Sequence, residues 1–285
     1  MTQSAPSRVF VTLLHEGTLA AEVLCAGVTT LRKASTPRSG LFELALFNLS
    51  IGFERMCKLI VLLDHYFANG SFPKNEVFKN KYGHDLDKLF PAVSQIVTER
   101  NIKTDYTEEP SSEIHREIIS TLSEFAKTTR YYNLDYLTGG KAAHLQSGRS
   151  AWVNRVGKLI LLKHYPVRKQ MNDVLEAQEL QASMGDVVSG IRFDESGKSI
   201  DTLDEGLIHG AEVRLIRRWS QFYCLQLIRY LAAVLKELPP RSASQRMQNQ
   251  PVGPPIQLPC FEEIFAWFLN EDAMLKSRKT WRIPE

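Results

Sequence analysis

Apolar residues recur at intervals of three and four along almost the whole chain, and stretches that alternate apolar with polar are scarce, so the helical period dominates and the fold is predicted to be all-α. A first helix is expected over about residues 7 to 35, ended by Pro37 and Gly40. A second runs from about Leu41 to Phe67, where Leu49, Phe53, Met56, Ile60 and Leu63 step along one face before Asn69-Gly70 and Pro73. Residues 70 to 83, rich in Gly, Pro, Asn and Lys, read as a connector. A third helix is expected from near His84 to about Arg100. After a turn at Glu108 to Ser112, Ser111 or Ser112 can cap a fourth. That helix turns Ile118, Ile119, Leu122, Phe125 and Ala126 inward and is expected to reach roughly Leu137, where Gly139-Gly140 break it. These four helices form a first unit, residues 1–140.

Residues 141–285 continue as a helical C-terminal extension. Helices are expected from about Ser150 to Tyr165, stopped by Pro166, and from about Val167 to Met184. Residues 185 to 202, with three glycines, read as a loop or a small hairpin. A long helix follows from about Leu203 to Leu238, halted by Pro239-Pro240. Residues 239–259, rich in Pro, Gln, Ser and Arg, read as a flexible or extended connection. A last amphipathic helix, Phe261 to Asn270, precedes a basic tail from Lys276 to Arg282.

Composition changes this picture little. A chain of 285 residues with 44% hydrophobic content can bury a sizeable core, and 35 basic against 32 acidic residues leave a net charge of +3, too near balance to name a partner. Cys25, Cys57, Cys224 and Cys260 lie far apart with no Cys-x-x-Cys pair, which predicts reduced, mostly buried thiols. The apolar run Val9 to Leu14 is too brief for a signal-peptide core, and Leu44 to Phe53 is too short to span a bilayer. The expectation is a cytoplasmic protein that does not enter a membrane.

Three short motifs carry the candidate chemistry. Glu54 and Lys58 stand i to i+4 on the second helix, acid first, the order in which such a pair best stabilises a helix. His84-Asp85-Leu86-Asp87-Lys88-Leu89-Phe90 opens the third, its acids suited to the positive helix end. Thr129-Arg130-Tyr131-Tyr132 lies near the end of the fourth. Each has a sufficient structural reading. Their order on successive helices resembles the HEPN family over roughly residues 7 to 138. The resemblance implies an antiparallel helical bundle, homodimerisation, and membership of toxin–antitoxin or antiviral defence systems directed at nucleic acid. It also implies either a metal-independent ribonuclease, with no cofactor, or a non-catalytic binding, scaffold or antitoxin-type partner of another protein.

Catalytic members resemble one another in an Arg-x(4 to 6)-His motif, arginine to stabilise charge on the scissile phosphate and histidine to move the proton of the 2′-hydroxyl. Here the positions after Arg130 lack that histidine, the next being His144, and only Arg8 and His15 match the spacing, on the wrong helix for the family. The catalytic candidates are Arg130 with His84 or His144. From Tyr136 to Asn172 no acid occurs, while Lys141, Arg149, Arg155, Lys158, Lys163, Arg168 and Lys169 are basic with Trp152 and Tyr165 interleaved, a combination suited to RNA or to a solvated face countered elsewhere. Ser196-Gly197-Lys198-Ser199 lacks the earlier glycine of a phosphate loop, where Arg192 stands, and no Gly-x-Ser-x-Gly turn occurs. The order His65, His84-Asp85, Asp135 resembles that of metal-dependent HD-domain phosphohydrolases, an outside alternative.

Overall fold

Two helices lie so close that neither tolerates a side chain where they cross. A Cβ on Gly27 of α1 (Arg8–Lys33) would stand 2.9 Å from Leu49 Cγ, and one on Gly52 of α2 (Gly40–Asn69) 2.5 Å from Leu24 Cγ. The pairings 27 with 49 and 24 with 52 make the hairpin antiparallel. In this computed structural model the described residues are 6–35, 40–104, 109–184, 192–194, 197–239 and 256–282. Pro37, most of the 239–259 connection and Glu108 of the predicted turn lie outside them.

Ser7 opens α1, its Oγ accepting from the Phe10 N–H at 3.1 Å. The predicted connector contains a short helix, α3 (Asn75–Tyr82), whose Tyr82 is buried and whose C-terminus closes at Gly83 with φ 52°, a left-handed value that glycine adopts freely. Helix α4 (Leu86–Glu99) starts one residue beyond its cap, Asp85, so His84 stands just outside it. Ser112 caps α5 (Glu113–Lys127), which ends earlier than its apolar pattern suggests. Thr128 leaves helical geometry (φ −136°, ψ −54°), its hydroxyl donates to the Glu124 carbonyl at 2.7 Å, and Thr129 is buried. Two adjacent β-branched residues, the first with its hydroxyl bonded back to a helix carbonyl, interrupt the ladder. The predicted fourth helix is therefore three pieces: α5, a 3₁₀ turn at Thr129–Tyr131, and α6 (Tyr132–Thr138).

After a 3₁₀ turn at Lys141–His144, the predicted fifth helix comprises α7 (Gly148–Ala151), a π turn (Trp152–Gly157) and α8 (Lys158–His164). The π turn holds Trp152 fully buried, its Nε1–H donating to Ser220 Oγ at 3.1 Å. Helix α9 (Val167–Met184) has its predicted bounds, and the 185 to 202 stretch includes a hairpin in which β1 (Arg192–Phe193) pairs antiparallel with β2 (Ser199–Ile200). Helix α10 (Leu203–Glu237) packs against α1, α2, α5, α8 and α9. In place of one last helix there are α11 (Phe261–Ile264), a 3₁₀ turn (Ala266–Phe268) and α12 (Asp272–Ser277). The basic tail beyond them is fastened to α1: Trp281 is buried, stacks on Phe268 at 5.6 Å, and its N–H donates to Thr29 Oγ1 at 2.8 Å.

One hydrophobic cluster joins both halves of the chain, with Leu24, Leu49, Phe53, Leu89 and Ile118 in the same core as Leu225, Leu231, Phe265 and Trp281. The buried polar Gln221 donates to the carbonyls of Val28 and Lys279, both at 3.1 Å, tying α10 to α1 and to the C-terminal segment. Cys25, Cys57 and Cys224 are buried free thiols, and Cys260 is an exposed one. By length and composition α1 alone among the described helices is apolar enough to cross a membrane. In the fold its Leu24, Val28 and Leu31 are fully buried.

Candidate functional site

The hairpin register sets the floor of the site. Glu54, Arg55 and Lys58 lie on one stretch of α2, and the antiparallel pairing brings Glu16 of α1 level with them, so that Arg55 Nη1 reaches the Glu16 carboxylate at 2.6 Å. The cap of α4 delivers His84 from a second direction. Its Nδ1 stands 3.0 Å from each Glu54 oxygen, while Lys58 Nζ stands 2.6 Å from Glu54 Oε1. The break after α5 delivers Arg130 from a third. Glu16, Glu54, Arg55, Lys58, His84 and Arg130 line one cleft of about 400 Å³, with Ile51, Leu59 and Leu62 as its apolar wall.

The three sequence motifs thus meet in one place. Glu54 is nearly enclosed, its side chain 13% exposed, whereas His84 is 64% exposed. A carboxylate only accepts, so Nδ1 is the donor in this bond, and in the neutral ring Nε2 keeps the free lone pair. Arg130 lies 5.0 Å above the Phe47 ring, and its Nε is buried without a hydrogen-bond partner among the described residues. Its guanidinium is thereby placed against an apolar surface that does not neutralise it.

Asp85, the other half of the His-Asp dipeptide, faces away into structural work. Its Oδ1 accepts from Ser123 Oγ and Lys127 Nζ, each at 3.0 Å, and from the Asp87 N–H at 3.1 Å. Burial alone would raise its pKa, but the bonds from Lys127 and Ser123 outweigh that and hold the carboxyl below its ordinary value. His65 is engaged with the Ser71 carbonyl at 2.8 Å, and among the described residues no three of His, Cys, Asp and Glu gather as a metal site. The donors of the HD alternative are therefore not brought together.

The other predicted residues are dispersed. His144 lies exposed on its 3₁₀ turn, outside the cleft, and Arg8 and His15 are exposed on α1. In the acid-free stretch Arg155 is tied to Glu117 at 2.7 Å and Glu124 at 2.8 Å, acids supplied by α5. Arg149 is half-buried near Glu43, whose carboxyl burial raises against that arginine's opposing pull. Lys141, Lys158, Lys163, Arg168 and Lys169 are exposed. Trp152 and Tyr165 are buried, so neither ring is available to stack on a base. His164 is likewise committed, stacked 3.6 Å from Trp219 with Nε2 2.8 Å from the Tyr223 hydroxyl.

Sequence reading missed the Glu16–Arg55 pair, which depends on the register of α1 against α2 and leaves no trace in spacing. As an arrangement, the cleft offers two cations tied to carboxylates, one arginine with an unengaged Nε, and an imidazole with one basic nitrogen. That set can hold a phosphate oxyanion and accept a proton beside it. Compared with protein-family models, with curated proteins and with solved structures, the chain matches none.

Proposed function

We propose that this cleft binds a phosphodiester of RNA, and that the chain is a HEPN-like, cytoplasmic protein of nucleic-acid-directed defence or toxicity acting as a metal-independent endoribonuclease. The supporting observation is that Glu54, Lys58, His84 and Arg130, drawn from three separate motifs, line one cleft. In this reading His84 Nε2 takes the proton of a 2′-hydroxyl, and the freed oxygen attacks the adjacent phosphorus. The bond to the 5′-oxygen breaks, that oxygen takes a proton back from the imidazolium, and a 2′,3′-cyclic phosphate and a 5′-hydroxyl end remain. Arg130 and Lys58 neutralise the charge that grows on the phosphoryl oxygens. A homodimer belongs to the same proposal: exposed Leu44, Tyr131 and Leu134 line a hollow together with Arg130 and supply an apolar face for a second copy, which sedimentation at micromolar concentration tests.

A second reading, non-catalytic RNA binding or service as an antitoxin-type partner, is favoured by one feature. Among the described residues His84 is the only imidazole lining the cleft. Labelled transfer RNA and single-stranded RNA, incubated with and without EDTA beside Arg130→Ala and His84→Ala, separate the two. Cleavage that survives EDTA and falls about a hundredfold or more in each variant is expected. Cleavage abolished by EDTA would sink the metal-independent reading. RNA retained on a gel without cleavage, and released by Arg130→Ala, would establish the second.

A further inference from the structure

A second cleft, of about 570 Å³, is lined by none of the catalytic candidates and gathers cations from four chain segments. Arg32 comes from the last turn of α1, Lys169 from the first turn of α9, and Lys279 from the C-terminal segment. Arg214, Arg217 and Arg218 stand on one face of α10, spaced by three and four. A single carboxylate, Asp173, lines the same cleft, and it already accepts from the Tyr165 hydroxyl at 2.7 Å. Among the described residues Arg32, Lys169, Arg214, Arg218 and Lys279 take part in no ion pair. Arg217 is held in place by the Ala34 carbonyl at the end of α1.

Like charges brought together by packing repel, and water relieves that least at the half-buried members, Arg32 and Arg217. Arg32 registers the cost: burial first, then Arg218 and Arg217, pull its pKa below the ordinary arginine value. The fold nevertheless sets these side chains around one hollow. Guanidinium groups match phosphate oxygens in pairs, and the volume is that of a small-molecule site. Converging cations suit a compact polyanion, whereas an RNA strand needs them strung along a track. Ala211 and Leu215 give the floor an apolar strip beside the charges.

We propose that this cleft is a binding site for a small ligand carrying two or three linked phosphates, of the nucleoside polyphosphate class. The proposal is independent of the reading given to the Glu54–His84 cleft. Its test is thermal melting and calorimetric titration of the full chain with sodium tripolyphosphate, with ATP and with a single-stranded RNA oligonucleotide. The proteins compared are the wild type, an Arg214→Gln/Arg218→Gln double variant, and Arg130→Ala. Both residues of the double variant are exposed, and glutamine keeps the helix.

Saturable stabilisation by tripolyphosphate and ATP is expected, retained in Arg130→Ala and weakened at least about tenfold in affinity in the double variant. Without ligand the double variant should melt no lower than the wild type, because repulsion is relieved, whereas a merely structural cluster would lose stability. Tighter binding of ATP than of tripolyphosphate would assign the apolar strip to the nucleoside, and equal binding would assign recognition to the phosphates alone. The proposal is overturned by no response to either anion, by an equal response in the double variant, by loss of binding in Arg130→Ala alone, or by binding of the RNA only.

Discussion

Glu54 accepts from His84 across 30 positions of sequence, with Nδ1 equidistant at 3.0 Å from both carboxylate oxygens, and takes a further bond from Lys58 at 2.6 Å. Imidazole in water favours the tautomer with the proton on Nε2, so the carboxylate is what turns His84 the other way. Replacing Glu54 with Ala should shift the neutral ring toward Nε2–H, visible in the ¹⁵N shifts of His84 in alkaline solution. RNA cleavage should fall about tenfold to a hundredfold with it. A tautomer ratio unchanged from the wild type would remove Glu54 from the positioning role.

Asp85 caps α4 and also anchors it to α5 through Ser123 and Lys127. Asp85→Ala removes a helix cap and a charge-assisted bond together, a loss of about 2 kcal/mol or more. The urea midpoint should drop with an unchanged slope. Because the folded carboxyl titrates below its ordinary value of 3.8, its contribution is present above that pH and is lost as the pH falls through the lower folded value. The gap between wild type and variant should therefore stay constant from neutrality down to about pH 4 and narrow only below it.

At Gly52 two effects oppose each other. Alanine in a helix is worth about 1 kcal/mol over glycine, yet here its Cβ would stand 2.5 Å from Leu24 Cγ, and Leu24 is fully buried. Overpacking wins, and Gly52→Ala should destabilise by about 1 to 3 kcal/mol. Leu24→Ala alone also destabilises, by leaving a cavity, but in combination the two should cost less than their sum. Additive losses in chemical denaturation would show that the helices do not meet there.

What was legible in the sequence was what repeats along one helix. The apolar stripe and Pro166 placed α9 with its bounds, and α10 differed from its predicted end only at Leu238. The interruption at Thr128 was not legible, since Leu134 and Leu137 continue the helical spacing past it and only local hydroxyl bonding breaks the ladder. The same limit applies to charge. Lys141 to Lys169 reads as one basic strip, yet Arg155 is countered by Glu117 and Glu124, which helix packing brings in from α5. Glu54, Lys58, His84 and Arg130 were legible as residue types in order, but their meeting rests on the packing of α4 and α5 against α2, the Asp85 cap and the Thr128 break. Only the Asp85 cap leaves a mark in the pattern of residues.

Two histidines away from the cleft give the protein a defined response to acid. His115 is 7% exposed, with Nδ1 2.8 Å from Ser112 Oγ and Nε2 3.0 Å from Gln226 Oε1, and burial pushes its pKa from 6.5 down to about 4. His164 is pushed to about 4 as well, by burial and then by Lys163 and Lys276. In both cases the folded value lies below the unfolded one, so the unfolded chain binds protons first as the pH falls. Stability should be level above about pH 6.5, decline from there to about pH 4, and level off again as far as these two groups are concerned. The slope from His115 alone is at most about 1.4 kcal/mol per pH unit. Thermal melts across that range should show the decline, and a His115→Gln/His164→Phe variant should flatten it. A melting temperature indifferent to pH between those limits, or a His115 proton resonance titrating near 6.5, would contradict the burial on which the argument stands.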